Sequence, residues 1–166
     1  QFDVDQSDCA MKINTDGVLL AALSESENPT KILDIGTGTG VLALMMAQRF
    51  PEAKVHAVEI DELASATASK NFQLSVFSER LAISNVAIEQ YNNGEKFDLI
   101  ISNPPYVAVY DASVESVVRD YEPHLALYAG TDGMDAHRQI ISQAGEWLVT
   151  NGLLVLEIGH EQGPEI

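Results

Sequence analysis

The sequence predicts an α/β domain with a doubly wound, mainly parallel sheet of the Rossmann-like type. Short runs that are almost wholly apolar alternate with longer stretches of helical character, as expected for parallel strands that are buried on both faces. The five predicted strands are Lys31–Ile35, 54–60, 81–88, Phe97–Ser102 and 153–158. The four predicted helices are 16–24, 41–50, 61–72 and 134–149. A glycine-rich turn joins the first strand to the next helix, which indicates a ligand-binding loop.

The segments around this core carry more local expectations. Thr15 is the expected N-cap of the first helix, and the apolar run 18–23 is expected to pack over the open edge of the ligand site. Asn151-Gly152 predicts a turn before the last strand. Residues 106–131 lack periodicity and predict a long loop, a feature that is often functional in compact domains. The chain is thus predicted to be one domain, with a cap at 1–30 and a core at 31–166.

Composition limits the classes of function. The chain has 166 residues and a formal net charge of −16, from 25 acidic and 9 basic residues. This charge repels nucleic-acid backbones, which lowers the expectation of RNA or DNA binding without excluding it. No run approaches the roughly 20 apolar residues of a membrane span. The single cysteine, Cys9, excludes an intramolecular disulfide and fits a reducing cytoplasm, and the four histidines show no metal-ligand spacing.

The predicted ligand loop is D-I-G-T-G-T-G at 34–40. Glu59 follows at the end of the next strand, where a carboxylate can accept both ribose hydroxyls of a nucleoside. The stretch 38–43 also satisfies the dinucleotide pattern G-x-G-x-x-A. Asp34 favours a cationic ligand over a pyrophosphate, and S-adenosylmethionine carries a sulfonium and an ammonium but no phosphate. The predicted cofactor contacts are Asp34, Gly36, Thr37, Gly38, Gly40, Glu59, Ile60 and Asn103.

The second motif is N-P-P-Y at 103–106, directly after a predicted strand. A planar nitrogen has a delocalised lone pair and must be held by acceptors for its N–H groups before it can attack a methyl group. The Asn103 carbonyl and the Pro104 backbone carbonyl are the expected acceptors, and the prolines fix the local backbone. Tyr106 is expected to stack on the flat target group. Asn103, Pro104 and Tyr106 are therefore the predicted catalytic residues.

Together, D-I-G-T-G-T-G, Glu59 and N-P-P-Y resemble the class I S-adenosylmethionine-dependent methyltransferases of the NPPY type. Residues 1–103 resemble the tRNA1(Val) adenine-N6 methyltransferases, through C-A-M-K at 9–12 and T-D-G-V-L-L at 15–20. Residues 103–166 resemble the HemK-type release-factor glutamine-N5 methyltransferases, through D-Y-E-P at 120–123, L-A-L at 125–127, G-T-D-G at 130–133 and L-E-I-G at 156–159. Both families complete their sheet with a further helix and a two-strand hairpin, and we expect the 166 residues to lack these elements.

These resemblances imply three hypotheses. The leading one is methylation of a protein glutamine, such as that of a release factor. The alternative is methylation of adenine N6 in tRNA, which predicts a basic patch near Asn103. The third is a hybrid or truncated chain that binds S-adenosylmethionine without turnover. All three imply that cofactor, and we expect neither a metal nor a membrane partner. A nicotinamide dehydrogenase is a more distant alternative, which Asp34 and the N-P-P-Y motif oppose.

Overall fold

The structure is a computed structural model that describes residues 2–7, 9, 12–110 and 128–166. Its centre is one sheet of five strands in the order β3-β2-β1-β4-β5, and every neighbouring pair is parallel. The strands are β1 Lys31–Ile35, β2 Lys54–Glu59, β3 Leu81–Asn85, β4 Phe97–Ser102 and β5 Leu148–Leu156. The helices are α1 Thr15–Leu23, α2 Val41–Arg49, α3 Glu62–Leu74 and α4 Asp135–Trp147. The predicted Rossmann-like fold class is confirmed.

Alternating side chains of the central strands enter two separate cores. Ile32 and Ala57 pack with α1, α2 and α3 on one face of the sheet. Leu33 and Val58 pack with Ile140 and Trp147 of α4 on the other face. Because the central strands β1, β2 and β4 bury both of their faces, few polar residues occur within them, which produces the apolar runs of the sequence. Because all five strands are parallel, their carboxyl ends lie at the same edge of the sheet.

Several of the local predictions were wrong. The N-cap of α1 is Asn14 rather than Thr15, because the Asn14 Oδ1 accepts a hydrogen bond from the Gly17 N–H at 2.8 Å. β3 ends at Asn85 instead of residue 88, because the chain turns into a short 3₁₀ helix, Ile88–Gln90. The apolar run 18–23 packs mainly on α2, with Ala21 in the core, instead of covering the ligand site.

The predicted turn at Asn151-Gly152 is an irregularity inside β5. Asn151 has φ 65°, and the register against β4 shifts between Phe97 and Leu99. A Cβ on Gly152 would lie 3.1 Å from the carbonyl oxygen of Phe97, so the two backbones approach closely there. Asn151 and Gly152 therefore form an irregularity within this edge strand, and the strand continues beyond them. As a result β5 begins at Leu148, and α4 ends earlier than predicted.

Most of the predicted loop 106–131 lies outside the described residues, including D-Y-E-P and L-A-L. Its described ends are joined by a parallel bridge between Val107 and Tyr128. None of the helices in the described ranges is long and apolar enough to cross a membrane. The same ranges contain no group of three or more His, Cys, Asp or Glu side chains placed to hold a metal ion.

Candidate active site

A cavity of about 450 Å³ lies at the carboxyl edge of the sheet, where the strand order reverses between β1 and β4. Parallel α/β sheets place ligands at this kind of switch point, and the volume suits a small organic ligand. The wall is formed by the glycine loop, the end of β2, the N-P-P segment and α4. Its residues are Cys9, Ile35, Gly36, Gly38, Glu59, Ile60, Asp61, Glu62, Ala64, Ile88, Ser102, Asn103, Pro104, Pro105, Ala136, Gln139 and Ile140.

The glycine loop is held by backbone hydrogen bonds to β2. The N–H groups of Gly36 and Thr37 both donate to the carbonyl of Val58, at 2.8 and 3.2 Å. Gly38 has φ 56°, and a Cβ built on it would have no atom within 4 Å, so its backbone faces open space. Gly40 also has a positive φ, but a Cβ there would lie 2.6 Å from Cε1 of Phe72. Gly38 thus leaves room for a ligand, whereas Gly40 allows α3 to pack closely.

Glu59 supports the loop from the end of β2. It is only 8 % exposed, and its Oε2 accepts a hydrogen bond from the Gly38 N–H at 2.8 Å. Its Oε1 accepts from the Asp61 N–H at 2.9 Å. Each carboxylate oxygen has a further lone pair, so Glu59 can still accept two ligand hydroxyls. Ile60 is 64 % exposed beside it and offers an apolar surface to the cavity.

Asp34 lies beneath the loop and is fully buried. Its Oδ2 accepts hydrogen bonds from the Thr37 hydroxyl at 2.5 Å and from the Ala43 N–H at 3.1 Å. Its Oδ1 is buried without a hydrogen-bond partner among the described residues. Burial raises the pKa of the Asp34 carboxyl to about 7. Asp34 and Thr37 thus connect β1 to the start of α2, and neither lines the cavity.

The N-P-P-Y segment continues directly from β4, and its first three residues lie on the cavity wall. The Ser102 hydroxyl donates to the Ile35 carbonyl at 2.7 Å, which fixes the strand end next to β1. Asn103 and Pro104 face the same cavity as the glycine loop. The Tyr106 side chain instead hydrogen-bonds to Glu157, and its backbone carbonyl accepts from Gln162 at 3.0 Å. The structure therefore gives Tyr106 a hydrogen-bonding contact that its predicted stacking role did not include.

The family comparison agrees with this arrangement of the two motifs. The family model described as "Methyltransferase small domain" matches residues 9–125, which is most of the chain. The chain belongs to this methyltransferase family. This membership favours the methyl-donor interpretation of the loop over the dinucleotide interpretation.

Relatives and solved structures extend the comparison. The chain is 39 % identical to a tRNA1(Val) (adenine(37)-N6)-methyltransferase of Porphyromonas gingivalis over 165 residues, 94 % of this chain and 62 % of that protein. It is 59 % identical to the enzyme of that name from Pedobacter heparinus over 106 residues, 64 % and 45 % of the two chains. A methyltransferase from Pyrococcus furiosus superposes with a TM-score of 0.61 at 24 % identity, over 87 % of this chain and 62 % of that one. At this identity the likeness supports the fold and nothing more. The chain therefore spans about half to two thirds of the curated relatives it matches.

Some of the alignments cover both halves of this methyltransferase domain. The alignment with the Porphyromonas gingivalis enzyme runs through both halves, so the tRNA1(Val)-type resemblance is not restricted to residues 1–103. The HemK-type resemblance of 103–166 and the idea of a hybrid chain stay predictions. A tRNA1(Val)-type relative of Aeromonas hydrophila aligns over the full chain at 38 % identity and 67 % of its own length.

Several wall residues of the methyltransferase domain were missed from sequence. Cys9 reaches the wall because the N-terminal segment is tied to α3. There the side chain of Asn71 pairs with the backbone of Asp5 and also donates to the Thr39 carbonyl at 2.8 Å. Ala136, Gln139 and Ile140 reach the wall from α4, which returns across the sheet after a long connection. No local sequence motif predicts that the N-terminal segment or α4 reaches the cavity wall.

The described charges on the cavity wall are acidic. Glu59, Asp61 and Glu62 lie on the wall, and Asp16 lies close enough to Glu157 to raise the pKa of that carboxyl further. Arg138, on α4, is paired with Asp132 at 2.6 Å. The basic patch expected near Asn103 for a tRNA substrate is therefore not found among the described residues.

Proposed function

We propose that this domain is an S-adenosylmethionine-dependent N-methyltransferase and that its target is the N6 amino group of an adenine in tRNA. The observation that carries the proposal is that Asn103 and Pro104 face the same cavity as Gly38 and Glu59. One wall thus offers acceptors for a planar amine, and the other offers a site for a nucleoside cofactor. The tRNA1(Val)-type relatives favour adenine as the target.

The cofactor wall fits S-adenosylmethionine. The open space over Gly38 allows a ligand to contact the loop backbone. The free lone pairs of Glu59 can accept the two ribose hydroxyls, and Ile60 offers an apolar contact for the base. The acidic residues of the wall suit a cation and oppose a pyrophosphate. When bound, S-adenosylmethionine supplies an electrophilic methyl group.

The target wall supplies acceptors at fixed positions. An exocyclic amino group has two N–H donors, and the Asn103 and Pro104 carbonyls can accept one each. These hydrogen bonds weaken the conjugation of the nitrogen lone pair with the ring. The lone pair is then available to attack the methyl group. The bond from Ser102 to Ile35 and the proline backbone fix the main chain from which both carbonyls project. Asn103 and Pro104 therefore act by orientation and by stabilising charge that develops on the nitrogen.

Release-factor glutamine is the second candidate, and the acidic wall favours it. Glu59, Asp61 and Glu62 repel phosphate and give no counterion release to an RNA backbone. A glutamine amide is also a planar –NH2 group, so the Asn103 and Pro104 acceptors would serve it equally well. The two candidates therefore differ in what lies around the target group, while the chemistry at the nitrogen is shared.

A methyl-transfer assay separates the candidates. The protein is incubated with methyl-tritiated S-adenosylmethionine and one of two substrates. These are a tRNA1(Val) transcript, with adenine or guanine at the position 37 named for the relatives, and a peptide with the tripeptide G-G-Q or G-G-A. We expect label in the adenine transcript and none in the guanine transcript.

Each other outcome has a defined meaning. Label in the G-G-Q peptide and not in the transcripts would replace adenine by glutamine as the target. Calorimetric binding of S-adenosylmethionine without label in any substrate would contradict turnover and favour a domain that only binds the cofactor. Absence of binding would contradict the cofactor assignment itself.

A further inference from the structure

Glu157 continues the β4–β5 ladder up to the target wall. Its backbone N–H donates to the carbonyl of Ser102 at 3.1 Å, one residue before Asn103. Its own carbonyl accepts from Nε2 of His137, a fully buried side chain of α4, at 2.8 Å. The backbone of Glu157 is therefore held from both sides, and its side chain starts from a fixed position next to the N-P-P-Y segment.

The Glu157 carboxylate accepts side-chain hydrogen bonds from Asn103 and Tyr106. Its Oε2 is buried and has no hydrogen-bond partner among the described residues. The amide nitrogen of Asn103 also lies against α1, 3.3 Å from where a Cβ on Gly17 would be. The NH2 branch of Asn103 is thus close to both Glu157 and α1.

An ionised carboxylate only accepts hydrogen bonds, whereas an asparagine amide has a donor branch and an acceptor branch. The amide oxygen cannot face Glu157 without placing two acceptors together. Because the amide group is planar, fixing the nitrogen toward Glu157 also fixes the direction of the carbonyl oxygen. In the proposed reaction that oxygen must accept an N–H of the target, so the wrong flip of Asn103 would be inactive.

We propose that Glu157 is a positioning residue that holds the Asn103 amide in its reactive flip and fixes the Tyr106 ring beside it. This inference rests on the proposed N-methyltransferase function. Glu157 need not contact substrate or cofactor, and it acts through the two side chains that it binds. Burial and the nearby Asp16 carboxylate disfavour the ionised form of Glu157, so a leucine would suit this position better if packing were its only role.

Three variants test the proposal by turnover. Glu157→Leu removes the acceptor, Glu157→Gln keeps one acceptor oxygen, and Glu161→Leu makes the same change at an exposed position of the same segment. We expect Glu157→Leu to lower kcat on the order of 10²-fold, because a misdirected acceptor loses the productive geometry. The Kd of S-adenosylmethionine should be unchanged, Glu157→Gln should recover much of the rate, and Glu161→Leu should behave as wild type. Wild-type kcat in Glu157→Leu, or a Kd that rises as much as kcat falls, would overturn the proposal.

A second measurement needs no substrate, so it separates this proposal from the proposed function. The side-chain ¹⁵N–¹H₂ resonances of Asn103 are assigned by their loss in Asn103→Asp, and their hydrogen exchange is compared in wild type and Glu157→Leu. We expect faster exchange in Glu157→Leu, since the hydrogen bond to Glu157 is removed. If wild type methylates nothing but this exchange difference is present, the proposed function fails and the Glu157–Asn103 contact stands. Equal exchange in both proteins would refute the contact.

Discussion

The two walls of the cavity are held in different ways. The glycine loop and Glu59 are fixed mostly by backbone N–H groups, as in the bonds from Gly36 to Val58 and from Gly38 to Glu59. The target wall depends on side chains from distant parts of the chain, including Glu157 on Asn103 and Gln162 on the Tyr106 carbonyl. A wall held by the backbone tolerates the loss of one side chain. A wall held by single side chains does not, so substitutions should have their largest effects at Asn103.

Asn103→Ala should have the largest effect, and it tests the target wall directly. The change removes an acceptor that is used mainly in the transition state, so we expect kcat to fall about 10²-fold or more. The Kd of S-adenosylmethionine should change little, because the glycine loop and Glu59 are untouched. Single-turnover methyl transfer and calorimetry measure the two quantities separately. Unchanged turnover would show that Asn103 does not hold the target nitrogen.

Asp34→Asn tests the buried support of the glycine loop through pH. The folded pKa of about 7 lies above the ordinary value of 3.8, so Asp34 favours folding at low pH. This stabilisation is fully present below pH 4 and is lost as the pH rises to about 7. Asparagine keeps the acceptor for Thr37 and Ala43 but does not titrate. The free energy of unfolding of Asp34→Asn, relative to wild type, should therefore rise between pH 4 and 7 and level off above.

Urea unfolding of both proteins across this pH range checks the prediction. Because the other titratable groups are shared, the difference between the two proteins isolates Asp34. A flat difference would mean that Asp34 titrates normally in the folded protein. The Kd of S-adenosylmethionine for the same variant shows whether Asp34 affects donor affinity. Any such effect would be transmitted through the glycine loop, because Asp34 does not line the cavity.

Gly40→Ala tests the contact between the glycine loop and α3. The new Cβ would lie 2.6 Å from Phe72, and φ at this residue is 84°. Strain and overpacking together should lower the free energy of unfolding by about 2 kcal/mol. Gly145→Ala is the matched control, because Gly145 lies within α4 and a Cβ there has no atom within 4 Å. That control should stabilise by about 0.5–1 kcal/mol, since alanine favours helix. Equal effects of the two changes in urea unfolding would refute the close approach at Gly40.

The same contrast between the walls explains what could be predicted from the sequence. The strands, the glycine loop and Glu59 are recognisable because apolar runs, positive-φ glycines and a strand-end carboxylate are local signals. Asn103 and Pro104 were predicted for the same reason. Gln139 and Glu157 were not, because their contacts depend on how α4 and β5 return across the sheet. Asn151 was misread because the residue types that favour a turn also favour a bulge within a strand.

Glu59→Gln should have the smallest effect on the proposed reaction, and it tests how far the backbone holds the cofactor wall. Glutamine retains one carbonyl oxygen, so it can replace either the bond from Gly38 or the bond from Asp61 but not both. It also loses an acceptor for a ribose hydroxyl. We expect the Kd of S-adenosylmethionine to rise about 10-fold, which corresponds to about 1.4 kcal/mol. Calorimetry provides the measurement, and kcat at saturating donor should fall much less than in Asn103→Ala.

The matched control for Glu59→Gln is Glu52→Gln, the same change at an exposed position in the turn between α2 and β2. It removes one negative charge without altering the cavity. Any weakening of S-adenosylmethionine binding that Glu52→Gln shares with Glu59→Gln is therefore due to net charge. A Kd that rises equally in both variants would mean that the acidic field, and not the Glu59 contact, attracts the cationic donor. A loss of kcat as large as that of Asn103→Ala would mean that the two walls are coupled, because weakening the cofactor wall would then disturb the acceptors on Asn103 and Pro104.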